Sequence, residues 1–157
     1  MTRYERREVS IVTPEATLAG ELTLPPGAPG IVLFAHGSGS SRLSPRNRYV
    51  ADEIATGGLG TLLFDLLTTA EERRDRVDAH LRFDIGLLAR RLADATRWLT
   101  QQAWGRDTTL GYFGASTGAA AALVASVECE VAAIVSRGGR PDLAGEALAE
   151  VRAPTLL

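Results

Sequence analysis

A chain of 157 residues, 45% apolar and 23% charged, has room for one hydrophobic core, so a single domain spanning 1–157 is expected. A formal charge of -2 gives no electrostatic basis for holding nucleic acid or an acidic membrane surface, and no apolar run approaches the roughly 20 residues that cross a bilayer. The single cysteine, Cys129, excludes an intramolecular disulfide and any cysteine cluster for zinc.

The opening stretch, Met1–Val12, is charged (Arg3, Glu5, Arg6, Arg7, Glu8) and lacks the apolar centre of a secretory signal, which points to the cytoplasm. Two short strands follow from the pattern, Glu8–Val12 and Ala16–Leu24. Thr13-Pro14-Glu15 turns between them and Pro25-Pro26-Gly27 ends the second, as in an antiparallel hairpin. Ile31–Ala35 is then apolar without alternation, the texture of a parallel strand covered on both faces. Similar runs recur at Thr61–Leu66, Thr109–Phe113, Val131–Val135 and Pro154–Leu157. Helices separate them. Ser44-Pro45 reads as a cap with proline in the first helical position, opening a helix to about Thr56. Asp84 caps a second, in which Ile85, Leu88, Ala89, Leu92, Thr96 and Leu99 share a face. A third, Ser116–Val127, is rich in alanine and glycine and can approach a sheet closely. Strands alternating with helices predict an α/β fold: a doubly wound, mostly parallel sheet with an N-terminal antiparallel hairpin. Leu67–Arg82 is polar and shows no periodic pattern. Ala153–Leu157 reads as the start of another buried strand with no helix after it, so the fold is expected to be incomplete at its C-terminal side.

Gly114-Ala115-Ser116-Thr117-Gly118 matches G-x-S-x-G between an apolar strand and a small-residue helix. A serine on such a bend stands above the sheet, and the glycines two residues to either side keep side chains from colliding with the neighbouring strand and helix. The helix start aims its free N–H groups at an oxyanion formed there. Alone the motif is weak evidence; in this setting Ser116 is the expected nucleophile. Ile31–Ala35 leads directly into His36-Gly37-Ser38-Gly39-Ser40-Ser41, a loop placed to supply a second oxyanion donor. Ser38 is the first choice for that donor, with Gly37 the alternative, and Thr117 supplies the other N–H. A phosphate loop fits poorly, because no lysine follows the glycines and G-x-G-x-x-G is not met. His36 is read as fixing the loop rather than acting as the base.

Four stretches together resemble the dienelactone hydrolase-like branch of the α/β-hydrolases: His36–Ser41, Leu63-Phe64-Asp65-Leu66-Leu67, Gly114–Gly118 and Ser136-Arg137-Gly138-Gly139-Arg140-Pro141-Asp142-Leu143. They occur in matching order across essentially the whole chain, and the last is the most particular. The resemblance implies the α/β-hydrolase fold, and some relatives of this kind are fused to a phosphoribosyltransferase domain. Dienelactone hydrolases proper carry cysteine where this chain has Ser116, so their own lactone is not carried across. The family pattern also places the triad acid just after the strand that begins at Pro154, and the histidine beyond it. Both are therefore expected outside a chain ending at Leu157.

Within the chain, His80 is read as a solvated residue of a charged segment, and Asp142 as a helix N-cap, although some relatives carry a relocated acid near that place. Asp65 either lines the pocket or ties down a loop. Cys129 is read as packing. Arg42, Arg46, Arg137 and Arg140 fall near strand ends and are candidates for a substrate carboxylate. All 17 basic residues are arginine. The expected activity is hydrolysis of a small-molecule ester, thioester or lactone through an acyl-enzyme on Ser116, with no cofactor or metal. A second reading, of a different class, is a non-catalytic fragment or interaction module. It would dock through the sheet edge at Pro154–Leu157, either by self-association or with a complementing C-terminal fragment.

Overall fold

The computed structural model describes residues 4–157, so Arg3 of the charged opening stretch lies outside the described residues. Seven strands form one mixed sheet: β1 (Arg7–Val12), β2 (Thr17–Thr23), β3 (Gly30–Ala35), β4 (Gly60–Phe64), β5 (Thr109–Ala115), β6 (Ala133–Arg137) and β7 (Thr155–Leu156). Their order is β1-β2-β4-β3-β5-β6-β7. The β1–β2 and β2–β4 junctions are antiparallel, and every junction from β4 to β7 is parallel.

The unbroken apolar runs arise because both faces of the central strands are covered. Leu33, Leu62 and Tyr112 face one cluster, packed with Leu88, Leu92 and Leu99 of α3 (Ile85–Gln101) and Ala121 and Ala122 of α4 (Thr117–Ala125). Their neighbours Phe34, Leu63 and Phe113 face the other, closed by Ala51 of α1 (Pro45–Thr56). Phe34 and Phe113 stack with centroids 4.9 Å apart. Both predicted caps are made: Ser44 Oγ accepts the Asn47 N–H at 3.3 Å, and Asp84 Oδ1 accepts the Leu87 N–H at 3.0 Å.

Several expectations shift: β4 ends at Phe64 rather than Leu66, and β5 runs on past Phe113 to Ala115. The strand expected at Val131–Val135 runs from Ala133 to Arg137, because pairing with β5 carries on from Ala133–Gly111 to Arg137–Ala115. Hydrophobicity marks burial, and the paired residues Ser136 and Arg137 do not carry that mark. The helix expected to start at Ser116 starts at Thr117, since the Ser116 backbone is not helical, and it ends at Ala125. Asp142 is not an N-cap: it lies in the first turn of a 3₁₀ segment, Pro141–Glu150, with its carboxylate turned back onto Arg140 at 2.7 and 2.9 Å.

The largest departure is Leu67–Arg82, which holds a helix, α2 (Thr69–Asp78), and a 3₁₀ turn, Leu81–Phe83. Thr68 and Glu71 make a reciprocal capping box at its start. Its buried residue is Asp75, and its valine, Val77, is 90% exposed. Ion pairs take the place of an apolar face. Glu71 receives both terminal nitrogens of the buried Arg91 at 2.7 and 2.9 Å, and Asp75 accepts from the Arg82 backbone N–H at 3.0 Å and Nε at 2.7 Å. No helix among the described residues is long and apolar enough to cross a membrane, and no acidic, histidine or cysteine group among them is arranged to hold a metal.

Burial works to raise the pKa of Glu71, but the bonds from Arg91 and Thr68 outweigh it and hold the carboxyl below its ordinary value; Asp75, bonded to Arg82, is lowered in the same way. A carboxyl whose folded-state pKa is depressed stabilises the fold above its unfolded pKa of about 4 and loses that contribution as pH falls through the folded value. Hydrogen exchange, corrected for intrinsic rates, is expected to show α2 opening at pH 3 while α3 stays protected. Arg91→Ala leaves Glu71 without its ion-pair partner and is expected to lower stability by about 3 kcal/mol in urea unfolding at neutral pH.

Candidate active site

β5 delivers Gly114 and Ala115 to the carboxyl edge of the sheet, and the chain reverses at Ser116 with φ 53° and ψ -121°. Only glycine adopts that conformation without strain, and a serine there costs on the order of 1–3 kcal/mol. The surroundings impose it. Ser116 donates its N–H to the Arg137 carbonyl at 3.3 Å, and its own carbonyl accepts the Ala119 N–H at 3.0 Å. A Cβ on Gly114 would lie 2.4 Å from Ala119 Cα, and one on Gly118 would lie 2.1 Å from the Ala35 carbonyl oxygen. Neither position admits a side chain. The Ser116 hydroxyl does not cap α4, although the residue occupies the capping position, and the residue is half-buried.

Opposite the bend lies the loop after β3. His36 Nε2 accepts the Leu66 N–H at 3.0 Å, which leaves the ring proton on Nδ1 to be donated to the Gly37 carbonyl at 2.9 Å. Burial pushes the imidazole pKa below its ordinary value, so the ring is neutral, as this pairing requires. His36 thus fixes the loop, as expected. The Gly37 carbonyl also accepts the Ser40 N–H at 3.1 Å, closing a tight turn in which Gly39 has φ 71°. A Cβ on Gly37 would sit 3.3 Å from Ser116 Cβ, so loop and bend are in contact distance. Ser38, Gly39 and Ser40 are exposed.

Asp65 fulfils both roles considered for it. Its carboxylate accepts the Arg42 N–H and Nη1, each at 2.7 Å, and it lines a cleft of about 170 Å³ between the loop and α2. Leu66, Leu67 and Leu88 give the cleft an apolar lining, while Asp75 and Arg82 contribute charge. Thr117 lines the cleft too, and its buried hydroxyl has no hydrogen-bond partner among the described residues; Ser116 is not part of the lining. Sequence reasoning singled out the Thr117 backbone and missed its hydroxyl, and it missed Asp75 and Arg82. The Thr68-x-x-Glu71 spacing was the available signal for the helix that places them.

The other candidates are dispersed. His80 is exposed just past α2. Of the four arginines considered for a carboxylate, Arg42 is held by Asp65 and Arg140 by Asp142. Arg137 donates to Asn47 Oδ1 at 2.8 Å and lies over the Phe113 ring, whereas Arg46 is exposed. Cys129 is buried, and burial pushes its thiol pKa up, which fits a packing role.

No family model matches the chain. Two proteins of Mycobacterium tuberculosis, from strains CDC 1551 / Oshkosh and H37Rv, carry the provisional name phosphoribosyl transferase. Each is 57% identical over 152 residues, which is 96% of this chain and 33% of the relative. The chain therefore spans about a third of the length of the curated relatives it matches. Among solved structures, a dienelactone hydrolase from Anabaena variabilis ATCC 29413 is 58% identical with a TM-score of 0.95, over 98% of this chain and 72% of that one. An α/β serine hydrolase without a lid from Xanthomonas campestris shares the fold at 20% identity and a TM-score of 0.73, over 96% of this chain and 67% of that one.

The strain at Ser116 is testable without any substrate. Ser116→Gly is expected to be more stable than Ser116→Ala by about 1 kcal/mol in thermal unfolding, the reverse of the usual order for these two residues.

Proposed function

The chain belongs to the dienelactone hydrolase-like branch of the α/β-hydrolases, and from that premise we propose that it forms the nucleophile-bearing part of a serine hydrolase acting on a small-molecule ester, thioester or lactone. The observation that carries the reading is the meeting of two backbone features: a strained Ser116 whose hydroxyl does not cap the helix, and a Gly37 turn so close that a Cβ added at Gly37 would lie 3.3 Å from the Ser116 Cβ. Ser116 Oγ attacks the substrate carbonyl, forming a C–O bond as its proton passes to a histidine. The Ser38 and Thr117 N–H groups hold the oxyanion. The C–O or C–S bond to the leaving group then breaks, with the histidine returning its proton, and water releases the acyl group by the same steps.

The histidine and its acid are read as lying beyond Leu157 in the gene product. Two facts support this. His36 has both ring nitrogens committed to the backbone, and His80 is exposed. The curated relatives also extend over about three times the matched length. The mechanism calls on no cofactor.

A second reading has its own support. Leu156 and Leu157, at the β7 edge, are 67% and 79% exposed, as in a module that docks through that edge with a complementing C-terminal fragment. Size-exclusion chromatography of residues 1–157 is expected to show self-association if that edge pairs with a second copy, and a well-behaved monomer would end that form of the reading.

In the complete gene product a fluorophosphonate probe is expected to label Ser116, and Ser116→Ala to lower turnover of p-nitrophenyl acetate by at least about 10⁴-fold. Residues 1–157 alone are expected to hydrolyse that ester little faster than buffer. A robust Ser116-dependent rate from that piece would refute the external histidine, and an unlabelled Ser116 in the complete protein would refute the nucleophile.

A further inference from the structure

A loop can serve an oxyanion only if it is held at the right height, and the Gly37–Ser41 loop is held from outside itself. At its base the His36 ring is fastened to the Leu66 N–H. Its tip, Ser38–Ser40, is exposed and closes on itself through the Ser40–Gly37 bond. Its far end is gripped by Asp65, one carboxylate oxygen on the Arg42 N–H and the other on Arg42 Nη1. Asp65 and Leu66 are consecutive residues leaving β4, so both ends of the loop are fastened to one point on the neighbouring strand. The sheet beneath does not depend on this grip. β3 and β4 are already paired from Ile31–Gly60 to Phe34–Leu63, and of the side chains in that range all are buried except Val32, which is half-buried. Arg42 and Asp65 are each only 21% exposed, which shields a charge-assisted pair from water.

We propose that Asp65 is a positioning residue for catalysis, one that sets the distance between the Ser38 N–H and the substrate carbonyl by clamping Arg42. This rests on reading the loop as one half of the oxyanion hole. The clamp acts in the transition state, where the oxyanion has formed, and hardly at all in substrate binding. Misplacing such a donor by about an ångström costs on the order of 100-fold in rate.

The test uses the complete gene product, with kcat expressed per site titrated by fluorophosphonate and folding followed by circular dichroism. Asp65→Ala is expected to lower kcat about 100-fold with KM within about twofold, and to weaken a boronic acid inhibitor, which binds as a tetrahedral adduct, in parallel with kcat/KM. Asp65→Asn, which still accepts the Arg42 N–H, is expected to fall between wild type and Asp65→Ala. Arg42→Ala should match Asp65→Ala, and the double variant should be no worse than either. A purely structural role would reduce the melting temperature and the number of titrated sites while leaving kcat per site unchanged, and that result overturns the proposal. Should Asp65→Ala not fold, Asp65→Asn decides: wild-type kcat and boronate affinity overturn the clamp. Loss of Ser116 dependence in the unsubstituted protein would instead overturn the acyl-enzyme reading, and the clamp with it.

Discussion

The site depends on one close approach between backbones. α4 begins so near the end of β3 that the Gly118 α-carbon has carbonyl oxygens where a methyl group would go. That contact forces the chain to leave β5 through a residue with positive φ, and the residue is Ser116. Gly114 completes the arrangement, letting α4 pass over the strand it has just left. Sterics alone therefore turn a strand–helix junction into a raised hydroxyl, and the folding of the sheet supplies the energy that keeps the serine strained.

The same sheet holds the opposing loop. β4 lies beside β3, and its exit residues Asp65 and Leu66 reach across to the loop that β3 feeds. On the other side of the bend, the last residue of β6 accepts the Ser116 N–H through its carbonyl, while its guanidinium is anchored to Asn47 at the start of α1. The loop is thus tied to the exit of β4, and the bend and first helix to the end of β6, by polar contacts at the carboxyl edge of the sheet. This is the usual place for function in parallel sheets, because there the loops diverge while their bases stay rigid.

What could be read from the residues follows from how each element is stabilised. β3 and β4 are buried on both faces, so their sequences are unbroken apolar runs and stood out. The bend stood out because close packing demanded glycine at Gly114 and Gly118. β6 was misplaced by two residues because Ser136 and Arg137 pair as strand while carrying polar side chains. α2 was invisible to periodicity because it is fastened through Glu71 and Asp75 rather than through an apolar stripe. The cleft it borders was hidden for the same reason, since Arg82 and Asp75 reach the site from a helix that hydropathy does not reveal. Asp142 misled in the opposite direction, being a good capping residue that satisfies its charge on Arg140 instead.

The forked ion pairs bear on how a covalent intermediate would be seen. Arg91 and Arg140 each grip a carboxylate through two nitrogens, and no lysine stands in for any of them. Guanidinium stays protonated at every ordinary pH and is not acylated by a passing ester, whereas an ε-amine would be. The thiol of Cys129 is buried and its pKa raised, which removes the other strong nucleophile. An acyl mass retained by this polypeptide under mild conditions would accordingly have very few side chains to sit on, giving unusually low chemical background for trapping an ester at the strained hydroxyl.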